Sequence, residues 1–437
     1  MNLNKYGIAV GLFLVAALML AWGGEATQVV ADNGPKAKSV ILIWLWGGGS
    51  QLDTFDPKPD AGFDYTGPFD SPIETNVDGI MINELLPQLA QQGDKYSIIR
   101  SMTHGINAHE TATYLSLTGR MPSDIQHPSI GSVVSYYRGY NAGYDSLIPP
   151  FIVLTKPQGR FADAGFLGAA YRPFATGGDP NLEPFAVDGI VREGVTREQQ
   201  ESRRAFLGQL DALGAAMPNS ATLDVLRQAE NDAYELILGD GAAVFDLSQE
   251  PDELRDRYGR NAFGQSCLAA RRLVEKGVPF VMINYEGWDT HKNHFTLMRQ
   301  MLPELDAGMA TLLQDLHDRD MLDDTIVWWT GEFGHTPKIQ WEMPYNGGRS
   351  HYGAAYSAVL AGGGFKGGEV VGRTDARAEK VLERPVYPSD VIGSIYDRLG
   401  IPLDGAIQHP DGRMIPILPP EEECAPSGGL LTELFED

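Results

Sequence analysis

Short, mostly apolar runs recur along the chain, each followed by glycine or polar residues. They are rich in β-branched and aromatic side chains and do not alternate strictly between apolar and polar positions. Strands of a parallel sheet that is covered on both faces have this pattern. The runs predict buried strands at Ser39–Trp46, Tyr96–Arg100, Phe151–Leu154, Val278–Asn284, Ile326–Trp329 and Tyr356–Ala361.

Segments with apolar residues at helical spacing lie between these runs. They predict helices at Asn83–Gln91, Thr111–Gly119, Ser129–Tyr137, Glu198–Met217, Ala221–Leu238, Glu253–Lys276 and Ser389–Leu399, and a long helix that runs through Leu316. Strands that alternate with helices form βαβ units, so the sequence predicts an α/β fold with a mostly parallel sheet. Residues from about 158 to 276 are interpreted as a loop-rich and helical insertion in that fold.

Histidines and carboxylates gather near the ends of the predicted strands. Six of the nine histidines lie in four loops, namely His104, His109, His291, His294, His335 and His351. Asp53, Asp289 and Glu332 follow strand ends in the same way. The carboxyl ends of parallel strands meet at one edge, where open α/β sheets bind their ligands. Because carboxylate and imidazole groups bind zinc and similar divalent ions, we expect a metal or catalytic site there.

Other interpretations of these residues stay open from the sequence alone. A loop histidine is often simply solvated, and Asp53 and Asp56 also suit a tight turn at a strand exit. Arg349 is either a surface charge or a clamp for an anion beside His351. The spacing of Asp289, His291 and His294 is common in loops. It indicates a metal site only because these residues directly follow a predicted strand.

The first residues predict export. Ile8–Trp22 is an unbroken apolar run that follows Lys5. It has the length of a signal-peptide core and is short for a membrane span, which needs about 20 residues. We expect a signal peptide at residues 1–31 and a periplasmic or extracellular protein, with an uncleaved membrane anchor as the alternative.

Charge and cysteine content narrow the classes of partner. The 34 basic and 58 acidic residues give a net charge of −24, which opposes nucleic acid and anionic membranes as partners. An anionic substrate is still compatible, because a metal ion supplies local positive charge. Two cysteines, Cys267 and Cys424, are too few for a disulfide framework, and whether they pair stays open. The acidic segment at 419–437 is predicted to be a flexible tail.

Several segments together resemble the DUF1501 family of bacterial exported proteins. They are ILIWLWGGGSQLDTFDPKP, SMTHGINAHETATYLSLTGR, GWDTHKNHF, TGEFGHTPKI, GRSHY and LAGGGFKGG. The family is similar in layout to the alkaline-phosphatase and sulfatase superfamily. That resemblance implies a three-layer α/β/α sandwich over residues 39–418, with a metal site at the strand ends and hydrolysis of phosphate or sulfate esters.

The chain departs from the superfamily pattern at named positions. Gly47 fills the slot of a metal-binding Asp, and His109 fills the slot of the nucleophile. The Asp-His-Gly motif at one strand end is replaced here by Glu332-Phe333-Gly334, which loses one histidine ligand. The last metal-binding histidine of the pattern matches His351. The remaining ligands are therefore more compatible with a site for one metal ion than with a site for two.

These points lead to a hypothesis of an exported, metal-dependent ester hydrolase. The expected ligands are Asp289, His291, Glu332 and His351, with Asp53 as a further ligand. Zinc is the first expectation for the ion, with Ca, Mn or Mg as alternatives.

The catalytic roles follow from the same resemblance. His109 is the expected nucleophile or general base, and Thr111 is the alternative nucleophile. His104 and Arg349 are expected to stabilise the oxygens of the transferring group. The alternative function is a non-catalytic exported protein that binds a sulfated or otherwise anionic polysaccharide.

Overall fold

A central sheet of eight strands organises the chain. The computed structural model describes residues 35–157, 161, 163–188, 198–199, 201–202, 240–420, 423 and 425–436. In chain order, its strands are β1 Ser39–Leu45, β2 Ile73–Glu74, β3 Met81–Ile82, β4 Tyr96–Met102, β5 Phe151–Leu154, β6 Phe174–Ala175, β7 Phe280–Tyr285, β8 Thr325–Gly331, β9 Gly334–His335, β10 His351–Tyr352, β11 Tyr356–Ala361, β12 Val370–Val371, β13 Arg373–Thr374, β14 Val381–Glu383, β15 Ala406–Gln408 and β16 Met414–Pro416.

The strand order in this sheet is β12-β4-β11-β8-β1-β7-β5-β6. β1 pairs in parallel with β7 and β8, β5 pairs in parallel with β6 and β7, and β12 pairs in parallel with β4. Among the described strands of the sheet, β11 alone runs against its neighbours, β4 and β8. The carboxyl ends of β1, β4, β7 and β8 therefore lie at one edge.

Helices cover both faces of the sheet. In chain order they are α1 Phe63–Thr66, α2 Pro87–Ala90, α3 His109–Thr118, α4 Ile130–Val134, α5 Asp240–Ala243, α6 Asp252–Tyr258, α7 Ala262–Glu275, α8 His294–Asp318 and α9 Pro388–Arg398. α7 and α8 pack together and share one apolar core with Trp329. α4 and α9 contribute to a second core, on the other face, with Trp328. This is the predicted three-layer α/β/α sandwich.

β1 explains why the strand runs are apolar throughout. All seven of its residues are buried. Ile41 and Ile43 belong to the core beneath α7 and α8, whereas Leu42 and Trp44 belong to the core on the other face. Successive side chains of a strand point to opposite faces, so a strand covered on both sides needs apolar residues at every position.

The predicted helix Glu253–Lys276 is two helices in the structure, and the single-helix prediction is wrong. Gly259 separates them with φ of +92°, a conformation that glycine adopts without steric cost. The side chain of Asn261 then accepts a hydrogen bond from the Gly264 N–H at 2.8 Å and begins α7. An N-cap of this kind makes the break a second helix start.

Two other predicted helices are shorter or change type. Of the helix predicted at Asn83–Gln91, only α2 is helical in the structure. The Asn83 side chain accepts a hydrogen bond from the Leu85 N–H at 2.8 Å and so holds a turn before Pro87. Ser129–Tyr137 begins as α4 and continues as a π-helical stretch at Ser135–Gly139.

The described part of the acidic tail packs onto the protein, and its flexibility stays a prediction. Leu431 and Leu434 are buried in the core beside α9, and Arg384 donates a hydrogen bond to the Leu430 carbonyl at 2.9 Å. Apolar residues within an otherwise acidic segment supply this anchor. In the part of the chain that the structure describes, no helix is both long and apolar enough to cross a membrane.

Some predictions fall on residues outside the described ranges. They include the signal peptide at 1–31 and most of the two helices predicted at 198–217 and 221–238. Cys267 is buried and Cys424 lies outside the described residues, so whether the two cysteines pair stays open. The signal peptide and the two helices therefore stay predictions.

Candidate metal site

Loops from four strands meet at the carboxyl edge of the sheet. β1, β4, β7 and β8 are followed there by residues 46–56, 103–108, 286–293 and 332–333. The antiparallel pair β9–β10 adds His351, which lies opposite His335. Imidazole and carboxylate groups from distant parts of the chain are thereby brought side by side.

Asp289 is surrounded by imidazole rings. One ligand atom each from His109, Asp289 and His351 lies within 4.8 Å of the others. Asp289 Oδ2 is 3.4 Å from His109 Nε2, and Asp289 Oδ1 is 3.0 Å from His351 Nε2. His291 Nε2 lies 2.9 Å from both Asp289 Oδ1 and His351 Nε2. We call these four side chains the His₃Asp cluster; the Asp289 side chain is 38% exposed, which leaves the cluster open to solvent.

Hydrogen bonds outside the cluster determine which ring nitrogen of His351 faces inward. His351 Nδ1 donates to the Asn107 carbonyl at 2.9 Å, so Nε2 is the ring nitrogen that faces the cluster. His351 Nε2 lies 3.0 Å from a carboxylate oxygen of Asp289 and 2.9 Å from the His291 Nε2 atom. Three electron-rich atoms at such distances repel one another unless protons or a cation lie between them. Zinc ligands in tetrahedral geometry, at about 2.0–2.1 Å from the ion, are about 3.3 Å apart, so the donor set fits a divalent metal ion.

Glu332 lies behind His109 and outside the His₃Asp cluster. Its side chain is fully buried, and Oε1 accepts hydrogen bonds from His109 Nδ1 at 2.8 Å and from the Gly47 N–H at 2.9 Å. This bond turns His109 Nε2 toward Asp289. A carboxylate that fixes the tautomer of a metal-binding histidine acts in this way. The sequence analysis expected Glu332 as a metal ligand and His109 as nucleophile or general base, and these roles stay predictions.

The pKa shifts in the cluster follow from these contacts. Hydrogen bonds to Asp289 and then to Glu332 raise the pKa of His109 to about 9. Hydrogen bonds from His109 and His351 hold the pKa of Asp289 far below its ordinary value. Burial lowers the pKa of His291 and raises that of Glu332. A metal ion therefore has to displace a proton from His109, whereas His291 is neutral beforehand.

Gly47 allows the loops to approach so closely. Its φ is +106°, and a Cβ at this position would lie 2.1 Å from the backbone nitrogen of Asp289. Its carbonyl accepts a hydrogen bond from His335 Nε2 at 3.1 Å, while its N–H binds Glu332. The superfamily pattern has a metal-binding Asp in this slot, but the structure leaves no room for a side chain.

Asp53 and Arg349 lie in a separate buried network. Asp53 Oδ2 is 2.7 Å from Arg349 Nε and 2.9 Å from His294 Nε2. The guanidinium also donates to the carbonyls of Thr336, at 3.0 Å, and Tyr65, at 2.6 Å. Both charged side chains are fully buried and satisfy each other. The structure therefore does not bring Asp53 to the cluster as a ligand or expose Arg349 as a clamp for an anion.

His104 and Thr111 also lie apart from the expected chemistry. His104 Nε2 donates to the Glu332 carbonyl at 2.7 Å, and its Nδ1 accepts from the Ile106 N–H at 3.0 Å. Because burial lowers the pKa of His104, its ring is neutral and both nitrogens are occupied by backbone groups. Thr111 follows His109 by two residues on α3, about 200° around the helix, and lines a cavity there.

Sequence reasoning missed two aromatic residues of the site. Trp46 stacks on His109 with ring centroids 5.1 Å apart, and Phe333 stacks on His351 at 4.3 Å. Each of the two aromatic residues follows a strand and has polar neighbours in the sequence, and this position could have indicated that they belong to the site. The Asn107 carbonyl that orients His351 left no signal in the sequence.

A mostly parallel sheet between helical layers, with a His/Asp cluster at its carboxyl edge, defines an α/β/α sandwich protein with a candidate metal site. The chain belongs to the family described as "Protein of unknown function (DUF1501)", whose model matches residues 37–423. This match confirms the resemblance of the sequence segments. No curated protein matches the chain.

Solved structures of the alkaline-phosphatase and sulfatase kind resemble the chain at low identity. One is Ps i-CgsB in complex with k-i-k-neocarrahexaose, at 12% identity and a TM-score of 0.41, covering 90% of this chain and 74% of that one. A protein in the alkaline phosphatase superfamily from Vibrio parahaemolyticus has 10% identity, a TM-score of 0.40 and coverages of 84% and 67%. The PsFucS1 sulfatase from Pseudoalteromonas sp. has 13% identity, a TM-score of 0.36 and coverages of 91% and 72%.

We predict that Asp53→Asn lowers the free energy of unfolding by about 3–5 kcal/mol, because it leaves the Arg349 guanidinium buried without a counter-charge. Denaturant unfolding measures the loss. The control is Asp411→Asn, which removes the partner of the exposed Arg413 and should change stability by less than about 1 kcal/mol. Equal effects of the two substitutions would contradict a stabilising role for the buried pair.

The raised pKa of His109 predicts a pH-dependent metal affinity. Below pH 9 the ion must displace the His109 proton, so zinc affinity should rise about tenfold per pH unit between pH 6 and 8. Titration with zinc in a competing chelator buffer measures this slope. An affinity that does not change over this range would exclude displacement of a His109 proton.

Proposed function

We propose that this chain is an exported, metal-dependent hydrolase of phosphate or sulfate esters. The observation that supports this proposal is the open His₃Asp cluster, in which two imidazole nitrogens and a carboxylate oxygen approach one another at 2.9–3.0 Å. In this proposal His109, Asp289, His291 and His351 hold one divalent ion, and zinc suits the donor set best. The ion supplies Lewis acidity, which polarises an ester oxygen and makes water more acidic.

The protein residues orient and shield the site. Glu332 and the Asn107 carbonyl fix the tautomers of His109 and His351, so both rings present Nε2 to the ion. Trp46 and Phe333 pack on these two rings and exclude water from that side. The rings are therefore held before substrate arrives, which is the condition for an efficient electrostatic site.

The arrangement favours attack by water over a covalent intermediate on the protein. His109 Nδ1 is bound to Glu332 and Nε2 faces Asp289, so neither nitrogen is directed at a substrate. Thr111 is on another side of α3. In this proposal His109 therefore serves as a ligand, and neither it nor Thr111 is the nucleophile.

The second candidate is an exported protein that binds a sulfated or anionic polysaccharide without hydrolysing it. The specific observation in its favour is the histidine in the slot where the superfamily pattern carries the nucleophile. Under both proposals the partner is a phosphorylated or sulfated small molecule or polysaccharide. The apolar segment within residues 1–31 supports export in both cases, and a membrane is a partner only if that segment stays uncleaved.

Metal analysis combined with an ester screen tests the hydrolase directly. We expect the purified protein to bind one divalent ion per chain and to hydrolyse an aryl phosphate or an aryl sulfate. His351→Ala removes a ligand and should lower the metal affinity and the turnover by more than about 100-fold. The matched control is His317→Ala, on the exposed last turn of α8, which should behave as the wild type. Bound metal with no turnover on either ester would favour the binding protein.

Glu332→Gln tests the positioning role of the buried carboxylate. The amide keeps the size of the side chain and removes its charge, so His109 is held less firmly in the metal-binding tautomer. We expect the zinc affinity to fall by about 10–100-fold while one ion per chain still binds at saturation. Loss of all binding would instead indicate that Glu332 is a direct ligand, as the sequence analysis predicted.

A further inference from the structure

Three aromatic rings from segments that follow β1, β7 and β9 stack on one another. Phe63 of α1 and Trp341, which follows β9, have ring centroids 5.0 Å apart and planes 6° from parallel. Phe295, in the first turn of α8, stacks on Trp341 with centroids 5.7 Å apart. Phe295 is buried, whereas Phe63 is 63% exposed and Trp341 is 39% exposed. We call Phe63 and Trp341 the aromatic platform.

The backbone next to Trp341 holds the platform in place. A Cβ at Gly347 would lie 3.0 Å from the Trp341 ring, so the chain passes directly against it. The Gly347 N–H donates to the Gln340 carbonyl at 2.9 Å, and the Gln340 N–H donates to the Gly348 carbonyl at 3.0 Å. A ring that is fixed before binding loses little conformational entropy when a ligand contacts it. Phe63 is mostly exposed, so burial in the core does not account for an aromatic residue there.

The same segment reaches the loop that carries a residue of the His₃Asp cluster. A Cβ at Gly348 would lie 1.9 Å from the carbonyl oxygen of His291. The Asn293 N–H donates to the Tyr345 carbonyl at 3.0 Å and joins the two segments again. Gly347 and Gly348 have Cα atoms only about 3.8 Å apart, so one step along the chain leads from the platform to the backbone of His291. The platform therefore adjoins the cluster loop.

The openness and small size of the platform restrict what it can bind. Small-molecule sites are concave and bury most of their ligand, but Phe63 is more than half exposed. A stable protein–protein interface buries about 800 Å² on each partner, whereas the large exposed apolar residues at this place in the described chain are Phe63, Trp341 and Met343. The platform thus suits one unit of a polymer that extends beyond it.

Charge separates the classes of polymer. In the two segments that carry the rings, 60–64 and 338–343, the exposed charged residues are Asp60, Asp64, Lys338 and Glu342. This local acidic excess, in a chain of net charge −24, opposes nucleic acid and anionic lipid surfaces. A sugar ring meets no such repulsion. The faces of a pyranose carry C–H bonds, whose partial positive charge matches the negative face of an aromatic ring.

We infer that the aromatic platform binds an uncharged sugar unit of a polysaccharide, which stacks on the exposed face of Phe63. Because the platform adjoins the loop of His291, a polysaccharide bound there also passes the His₃Asp cluster. This link to the cluster rests on the proposed function, and it makes the ester substrate a polysaccharide with phosphate or sulfate groups on only some of its units. Sugar binding by the platform itself does not depend on hydrolysis.

Affinity electrophoresis tests the platform without any turnover. The protein migrates in native gels that contain dextran, galactomannan, xyloglucan or agarose, each of which is uncharged. We expect at least one of them to retard the protein, both with zinc and after removal of metal, because the platform uses no ion. Phe63→Ala removes the exposed ring face and should weaken the binding about three- to tenfold. Phe63→Tyr keeps the ring and should bind as the wild type does.

The matched control is Met414→Ala, at a similarly exposed apolar position on β16, which should leave the retardation unchanged. Both alanine variants should unfold at the wild-type denaturant concentration, since each loses an exposed side chain. Lack of retardation in all four gels, or equal retardation of the wild type and Phe63→Ala, would overturn the inference. Retardation that depends on Phe63, without hydrolysis of any phosphate or sulfate ester, would support the platform and reject the hydrolase. Hydrolysis of an aryl ester without retardation would do the reverse.

Discussion

Asp289 and the imidazole nitrogens around it cannot share their space without positive charge between them. His351 Nε2 lies 3.0 Å from Asp289 Oδ1 and 2.9 Å from His291 Nε2, while the other nitrogen of the His351 ring is held by a backbone carbonyl. Either protons or a metal ion must compensate this concentration of lone pairs. The sheet, the glycines and the buried ion pair can all be understood as means of keeping these groups together.

The support of the cluster is mostly backbone and buried charge. Gly47 brings the exit of β1 against the backbone of Asp289, and its N–H holds Glu332 in place. Arg349 lies two residues before His351. It is held by an ion pair with Asp53, which follows β1. A buried ion pair contributes little net stability relative to an apolar pair, but breaking it is costly. Here the ion pair links the loop after β1 to the segment that contains His351.

The sequence alone was sufficient to predict the central sheet, because short, continuous apolar runs have few stable arrangements other than buried strands. It also located the edge at which the histidines meet, since parallel strands place their carboxyl ends together. It could not show which of these residues face one another in the cluster and which lie behind it. Glu332 and His109 are 2.8 Å apart in the structure, and both lie after the carboxyl end of a strand, so the sequence pattern does not distinguish them. The break at Gly259 and the anchoring of Leu431 depend likewise on local capping and packing that periodicity does not contain.

The placement of Glu332 has a consequence for how an acidic protein can bind an anion. The net charge of −24 repels phosphate and sulfate esters at long range. In the proposed site, one carboxylate and three neutral imidazoles would leave a divalent ion with an excess of positive charge, whereas a second carboxylate among the ligands would cancel it. Glu332 orients His109 from behind and so supports the ligand without joining it. Under the proposed function, a divalent ion in the cluster would supply local positive charge for an anionic ester group on this acidic protein.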